Sequence, residues 1–523
     1  MKHFNITFKP DGKQISIHAG TTVLEAAGLA GIILNTVCGG KGICEKCIVN
    51  IEPDGRQVLA CQYNIQSDLT VTIPASSRFF EQKILSEGIA TKAKVQPDIW
   101  KKYKKPDSAD KIFGLAVDIG TTTIVAKLIA LTNGQCLATQ ADLNPQCQYG
   151  DDVISRIAFA QTDAKLAELN TLIIECINKL TTQLCKQVSI DSQEIYEICA
   201  VGNTTMNHIF QKLPITSLGQ APYKPFSVDA KDLSPNELGL QINPAGNIHT
   251  TSNIAGFVGS DTTAVALAVD IDVADKVTLA VDIGTNGELV LGVKGKLYAV
   301  SCAAGPAFEG ARISCGSRAV EGAIEAVIVN DNDIDLDVIG GCAPRSICGS
   351  GLIDAMAVLL DLGIVEATGT FAESDKLPAD LPPAIRSRVV KHNDQPAFVL
   401  AGQLLLTQED VRQVQLAKAA MRTGIKLLQN KTGIGDSELE QVFLAGAFGN
   451  YIRRESALRI GLLPAIAAEK IHFVGNAACS GAQIILLSSE ARTKAGELAR
   501  NIEYVELANE KEFAAVFAES MRF

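Results

Sequence analysis

Four cysteines near the N-terminus, Cys38, Cys44, Cys47 and Cys61, follow the spacing C-x5-C-x2-C-x13-C. Thiolates are soft ligands that suit iron, and three on one loop with a fourth from a later strand can surround a two-iron, two-sulfide cluster. Gly39, Gly40 and Gly42 let the backbone curl closely around such a cluster and turn amides toward its sulfides. Structural zinc usually takes two paired Cys-x-x-Cys knuckles, of which this segment has one; zinc and four unrelated thiols stay open as other readings. The remaining cysteines show no comparable spacing and read as small core residues. Cys302, Cys315, Cys342 and Cys348 lie near glycine-rich turns but form no tetrahedral ligand set.

A second chemistry is written twice. Gly114-Leu-Ala-Val precedes Asp118-Ile119-Gly120-Thr121-Thr122-Thr123, and Thr278-Leu-Ala-Val precedes Asp282-Ile283-Gly284-Thr285-Asn286-Gly287. In each copy glycine permits a tight turn, successive amides and hydroxyls can hold phosphate oxygens, and the aspartate can bind Mg²⁺ through water. Two such turns facing each other would grip a polyphosphate from both sides, and Glu288 adds a carboxylate able to order a water. A third element, Val442-Phe-Leu-Ala-Gly446-Ala-Phe-Gly449-Asn450, is an apolar strand running into glycines against which a flat base can lie. The competing reading of each glycine is a strand-to-turn residue needed only for folding. No Gly-x4-Gly-Lys-Ser/Thr occurs, which excludes a P-loop, and no Gly-x-Gly-x-x-Gly sits in the setting of a dinucleotide fold.

These groups need rigid elements to place them. The chain has 523 residues, more than one core supports, and at about 150 residues per domain it should be modular. Residues 1–75 read as a small domain: strands over His3 to Phe8 and Gln14 to His18, a helix from Thr22 to Ala30, the cysteine loop, and strands over Cys47 to Ile51 and Leu69 to Ile73. Periodicity fades over residues 76–110, a linker carrying Lys101-Lys102-Tyr103-Lys104-Lys105; the run suits either a solvated face or the docking of an acidic partner. Residues 111–195 open an α/β body whose remainder is 196–523, apolar strands alternating with helices such as Ala164 to Val188. A second long helix, opening at Thr407-Gln-Glu-Asp410, should flank the second sheet. The repeat of Asp-x-Gly-Thr implies two similar half-domains.

Composition limits the function classes. Apolar residues at 47% and charged residues at 20% fit a globular chain, and a net charge of −11 disfavours a dedicated nucleic-acid binder. No apolar run is long enough for a membrane span, and Met1 to Ile6 begin a strand pattern rather than a leader, so a soluble cytoplasmic protein is expected. Thiols or metal ligands are then expected of the cysteines in preference to disulfides.

The cysteine spacing resembles the vertebrate-type variant of the plant-type ferredoxins, and the strand-strand-helix order before it agrees with their β-grasp fold. The three glycine elements resemble the phosphate-1, phosphate-2 and adenosine motifs of the acetate kinase, sugar kinase, Hsp70 and actin superfamily. The implied fold is an α+β β-grasp ferredoxin domain followed by a duplicated, RNase H-like α/β ATPase body. In sugar kinases of that superfamily an aspartate follows a Gly-Asn, whereas Gly202-Asn203 is followed here by Thr204, which argues against a sugar substrate. Nothing in the sequence supplies an orienting partner for the nearby His208, which reads as a packing or capping residue.

Over essentially its whole length the chain resembles the reductive activators of corrinoid proteins, with further matching stretches at Ser301 to Gly310, Ile347 to Asp354 and Gly475 to Ala478. That resemblance implies ATP-dependent transfer of one electron from a 2Fe-2S cluster to cobalt(II), restoring the cobalt(I) that methyl transfer requires. It implies iron ligation by Cys38, Cys44, Cys47 and Cys61, with Asp118 and Asp282 organising Mg²⁺ and the attacking water. Thr121, Thr122, Thr285 and Asn286 would hold phosphates, Gly446 and Gly449 would border adenosine, and Glu288 and Glu309 would be secondary candidates for positioning water. A corrinoid protein, an external electron donor and a homodimeric state are the implied partners. Two rival functions are an ATP-driven donor akin to the activators of 2-hydroxyacyl-CoA dehydratases and a redox-sensing nucleotide-binding regulator that hydrolyses nothing.

Overall fold

The computed structural model describes residues 3–10, 12–18, 20–30, 32, 34, 42, 47–74, 77, 94–101, 111–446 and 452–523. Cys38, Cys44, Gly449 and residues 102–105 of the basic run lie outside them.

The N-terminal module is a five-stranded mixed sheet in the order Lys13–His18, His3–Lys9, Leu69–Thr72, Ile48–Glu52, Arg56–Leu59. Alternation dictates its inner face: Phe4, Ile6 and Phe8 from the first strand meet Val49, Ile51 and Val71, all buried. Fully burying each such side chain is worth about 1.5–3 kcal/mol. The helix Val23–Leu29 is started by a reciprocal capping box between Thr22 and Glu25 and lays Val23, Leu24, Ala26 and Ala27 on that core. The strand Arg56–Leu59 is not legible in the sequence because its residues are exposed or half-buried and carry no alternation.

The body contains two six-stranded sheets of matching construction. In the first, Phe113–Ile119 runs parallel to Ile195–Gly202 and antiparallel to Thr123–Ala130, which continues to Cys136–Leu143. In the second, Thr278–Ile283 runs parallel to Gln441–Ala445 and antiparallel to Gly287–Val293, which continues to Lys296–Cys302. Each Asp-x-Gly-Thr segment is therefore the link between a central strand and its antiparallel neighbour. Ile195–Gly202 pairs with Asn247–Thr250 as well, so the first sheet extends well past residue 196.

The helix Asp163–Val188 covers the outside of the first sheet with Leu166, Leu169, Ile173, Ile177, Leu180 and Leu184. The helix Gln408–Thr432 opens with a capping box between Thr407 and Asp410 and packs Val411, Val414, Met421, Ile425 and Leu428 on the second sheet. Between the sheets, Ser260–Ala268 crosses Ala477–Leu487 so closely that a Cβ at Gly481 would overlap the Ala264 carbonyl oxygen. Within the segment expected as linker, residues 94–101 pack on the body: the Gln96 amide donates to Leu487 O at 2.8 Å, and Asp98 lies 3.8 Å from Arg492.

Candidate active site between the two glycine turns

The first turn closes through Gly120 N–H donating to Thr123 O at 2.9 Å, and a Cβ on Gly120 would stand 2.6 Å from that oxygen, so no larger residue fits. The second closes through Gly284 N–H donating to Asn286 O at 3.0 Å. The turns face each other across a cleft, with the Thr122 and Thr285 hydroxyls 3.4 Å apart. Asp118, Gly120, Thr121, Thr122, Thr123, Asp282, Gly284, Thr285, Asn286, Glu288 and Gly446, all singled out from sequence, line this one cavity. Gly287 does not line it. A Cβ there would overlap the Met421 sulfur, so Gly287 lets the long helix approach the second sheet. Gly446, at φ +92°, ends the strand Gln441–Ala445, and a Cβ on it would come 2.6 Å from Asp282 Oδ1.

Three polar side chains without a sequence-assigned role join the cavity: Asn203, Asp261 and Asn476. Asn203 caps the helix Thr204–Phe210 and donates to the Thr121 hydroxyl at 2.8 Å. Asn476 caps Ala477–Leu487 and donates to Asp118 Oδ2 at 2.9 Å. Asp261 lies in the first turn of Ser260–Ala268. An acidic residue at a helix start is common for dipole reasons alone, so no local pattern distinguishes it. His208 is buried between Thr204 O, 2.7 Å from its Nδ1, and the Ser227 amide, which donates to its Nε2 at 3.3 Å; this is a packing role.

Five carboxylates thus converge: Asp118, Asp261, Asp282, Glu288 and Glu309. Burial pushes Asp118 up to about 7, opposed by the Asn476 hydrogen bond and reinforced by Asp261. Asp282 also rises to about 7, from burial and then from the charges of Asp261 and Asp118. Asp261 rises to about 6 through burial, against the hydrogen bonds it accepts from Thr262. Glu288 lies well above its ordinary range, again from burial first and then Asp261 and Asp282. A hard divalent cation near such oxygens would let them ionise together, but among the described residues no three of these carboxylates stand close enough to hold one ion directly, so a cation here would be held largely through water.

Behind the first turn sits Arg156, fully buried, whose guanidinium donates to Thr121 O, to Gly150 O at 3.1 Å and to Gln146 Oε1 at 3.1 Å. Gln146 belongs to the short 3₁₀ turn Pro145–Tyr149, and the next residue but one, Gln148, contacts the ferredoxin-like module: a Cβ at Gly28 would overlap its Oε1.

In that module Cys47 and Cys61 are both buried at one end of the hairpin formed by Ile48–Glu52 and Arg56–Leu59, where Ala60 N–H donates to Cys47 O at 2.9 Å. Gly42, at φ +75°, lies against Gln62, whose side chain would be 2.9 Å from a Cβ there; Gln62 in turn donates to Cys61 Sγ at 3.7 Å. Two buried thiols beside a glycine-only loop residue fit an iron-sulfur cluster.

Residues 4–75 match the model of the 2Fe-2S iron-sulfur cluster binding domain, residues 113–274 the RACo middle region, and residues 276–523 the C-terminal domain of RACo, the ASKHA domain. The corrinoid activation enzyme RamQ of Eubacterium limosum is 35% identical over 98% of this chain and 98% of its own. The chain belongs to the RACo family. A solved RACo-family structure, the reductive activator for corrinoid,iron-sulfur protein, superposes with a TM-score of 0.73 at 30% identity, covering 99% of this chain and 98% of that one. The [Co(II) methylated amine-specific corrinoid protein] reductase of Methanosarcina barkeri is 26% identical over 75% of this chain and 73% of its own. The RACo family joins a ferredoxin-like 2Fe-2S domain to an ASKHA nucleotide-binding body, and both are present here. No helix among the described residues is long and apolar enough to cross a membrane.

Proposed function

We propose that this chain uses ATP hydrolysis to return a corrinoid protein from cobalt(II) to cobalt(I), delivering one electron supplied by an external donor. The reading rests chiefly on one observation: buried cysteines of a ferredoxin-like module and a cleft between paired phosphate-type turns belong to the same chain. Cys38, Cys44, Cys47 and Cys61 would hold a 2Fe-2S cluster, which when bound supplies one-electron chemistry near about −400 mV. Asp118, Asp261, Asp282 and Glu288 would hold Mg²⁺, which neutralises phosphate charge and polarises the terminal phosphoryl group.

In this reading the Thr121, Thr122 and Thr285 hydroxyls and the amides of the two turns bind phosphate oxygens. Asn203 fixes the Thr121 hydroxyl, and Asn476 fixes the Asp118 carboxylate. Glu288, raised by burial, positions the attacking water and takes its proton. Gly446 borders the adenosine, where a side chain would push Asp282 aside. Arg156 and the turn Pro145–Tyr149 pass movement of Thr121 to the helix that carries Gly28. Each roughly 59 mV of unfavourable difference costs tenfold in a one-electron equilibrium. Nucleotide can offset that only through different affinities of its bound states for the partner. The protein is proposed to act as a cytoplasmic homodimer.

Reduced protein mixed with a cobalt(II) corrinoid protein should yield the cobalt(I) absorption spectrum with MgATP and not without it. Equal conversion in both arms would overturn the energetic role of ATP. Protein that forms no cobalt(I) in either arm, although reduced and binding MgATP, would overturn the corrinoid assignment.

A further inference from the structure

We propose that Arg318 is the ligand of the nucleotide's terminal phosphate and that the Glu309 carboxylate holds that phosphate's place when no triphosphate is bound. The proposal rests on the nucleotide reading of the cleft and adds to it how triphosphate is told from diphosphate.

Glu309 ends the 3₁₀ turn Pro306–Glu309 and is only 7% exposed. Its Oε2 accepts the Thr122 hydroxyl at 3.2 Å, and its Oε1 accepts the Thr285 hydroxyl in a short hydrogen bond. These hydroxyls come from the two turns that face each other across the cleft, so one carboxylate ties both turns together. A terminal phosphoryl group would present the same pattern to the same donors, anionic oxygens reaching both loops at once. Arg318 Nη2 lies 3.9 Å from Glu309 Oε2, and its side chain is 12% exposed. That separation is too long for a hydrogen bond but close enough for charge attraction.

Charge balance points the same way. Among the described residues the cavity is lined by five carboxylates, Asp118, Asp261, Asp282, Glu288 and Glu309, and by no lysine or arginine. A polyphosphate entering this field needs cations beyond one divalent ion. Arg156 is already committed to Thr121 O, Gly150 O and Gln146. Arg318 is the guanidinium that the structure pairs with the group filling the gap between the turns. Asp151, whose two carboxylate oxygens are buried and accept no hydrogen bond, is a second acidic group within reach of the Arg318 charge. Triphosphate would displace Glu309 from both hydroxyls and take over its attraction to Arg318. Diphosphate, which lacks the terminal group, would leave the Glu309 contacts in place.

The test is calorimetric titration of the intact, cluster-containing protein with MgATP and with MgADP. Arg318→Met should weaken MgATP by about ten- to a hundredfold, the range of a charge-assisted hydrogen bond, and leave MgADP within about twofold. Glu309→Gln, which keeps the shape and removes the competing charge, should tighten MgATP by about tenfold and leave MgADP unchanged. Equal weakening of both nucleotides by Arg318→Met, or of neither, would overturn the assignment. So would weaker MgATP binding by Glu309→Gln, which would make Glu309 a cation or water ligand. Should Arg318→Met fail to fold, judged by iron content and melting, Glu309→Gln and Arg318→Lys carry the test, the lysine variant keeping the ATP preference in part. If the unsubstituted protein binds neither nucleotide, the nucleotide reading of the cleft falls first and this proposal with it; if it binds both and the variants change nothing, this proposal alone falls.

Discussion

Replacing Asp261 by asparagine should make the cation-free protein more stable and at the same time disable it. Burial lifts this carboxyl from 3.8 to about 6, so keeping it ionised at pH 7.5 costs about 3 kcal/mol when no cation is present. Local relaxation and entry of water reduce the recoverable part to about 1–2 kcal/mol. Asparagine retains the hydrogen bond that the Thr262 amide donates to Oδ1 at 2.7 Å, so little else is lost. The sign follows from linkage: the folded-state value lies above the unfolded one, so the penalty is absent below about pH 4, grows up to about pH 6 and is complete above it. The stability gain of Asp261→Asn should therefore be present at pH 7.5 and fall to about a third of that at pH 4.5. With MgATP the same change should, in the proposed reading, cut phosphate release by about a hundredfold or more, because Asp261 is one of the carboxylates proposed to organise the cation. Calorimetric melting in EDTA at the two pH values, paired with a phosphate-release assay, reads both halves. A loss of stability at pH 7.5, a gain of equal size at both pH values, or unimpaired turnover would refute the reasoning.

Cys61→Ser should lower bound iron per chain, by elemental analysis, while MgATP affinity measured by titration stays within about twofold. Gly446→Ala forces an alanine to φ +92° with its Cβ 2.6 Å from Asp282 Oδ1; the strain of about 1–3 kcal/mol should appear as lower stability on melting and at least about tenfold weaker MgATP binding. Arg492→Met leaves Glu197, fully buried, without its guanidinium partner, a loss of about 3–5 kcal/mol. Because Arg492 also faces Asp98, that variant should be cut faster by protease within residues 94–101.

What was legible in the sequence was what local pattern controls. Asp118 and Asp282 were found because each closes an apolar run before a glycine turn, and the strand-turn-strand geometry that places them is equally local. The two long helices announced themselves by apolar periodicity, and the second also by its Thr407–Asp410 cap. Asp261 and Asn476 were invisible as site residues because they reach the cleft only when the helices Ser260–Ala268 and Ala477–Leu487 cross between the sheets, a contact between distant parts of the chain. Gly287 sits in the motif but does not line the cleft, because its missing side chain makes room for Met421 of a distant helix. Residues 94–101 carry no periodicity of their own; their partners, Leu487, Ser488 and Arg492, lie almost four hundred residues further on.

The first phosphate-type turn and the ferredoxin-like helix are joined by few groups, and those groups are expensive to disconnect. If Thr121 moved to follow a phosphate while Arg156 stayed behind, a buried guanidinium would lose an acceptor, at about 1.5–3 kcal/mol for a charged hydrogen bond. If Arg156 followed, it would drag Gln146 and the turn Pro145–Tyr149, whose Gln148 already fills the space beside Gly28. Close-packed interiors shift between discrete arrangements more readily than they stretch, which favours movement of the whole turn. The energies involved match those of electron transfer, since about 1.4 kcal/mol and about 59 mV each correspond to a tenfold change in a one-electron equilibrium. One such hydrogen bond therefore equates to roughly 65–130 mV on the scale of a one-electron equilibrium, the order of shift that the proposed coupling of nucleotide to electron transfer would require.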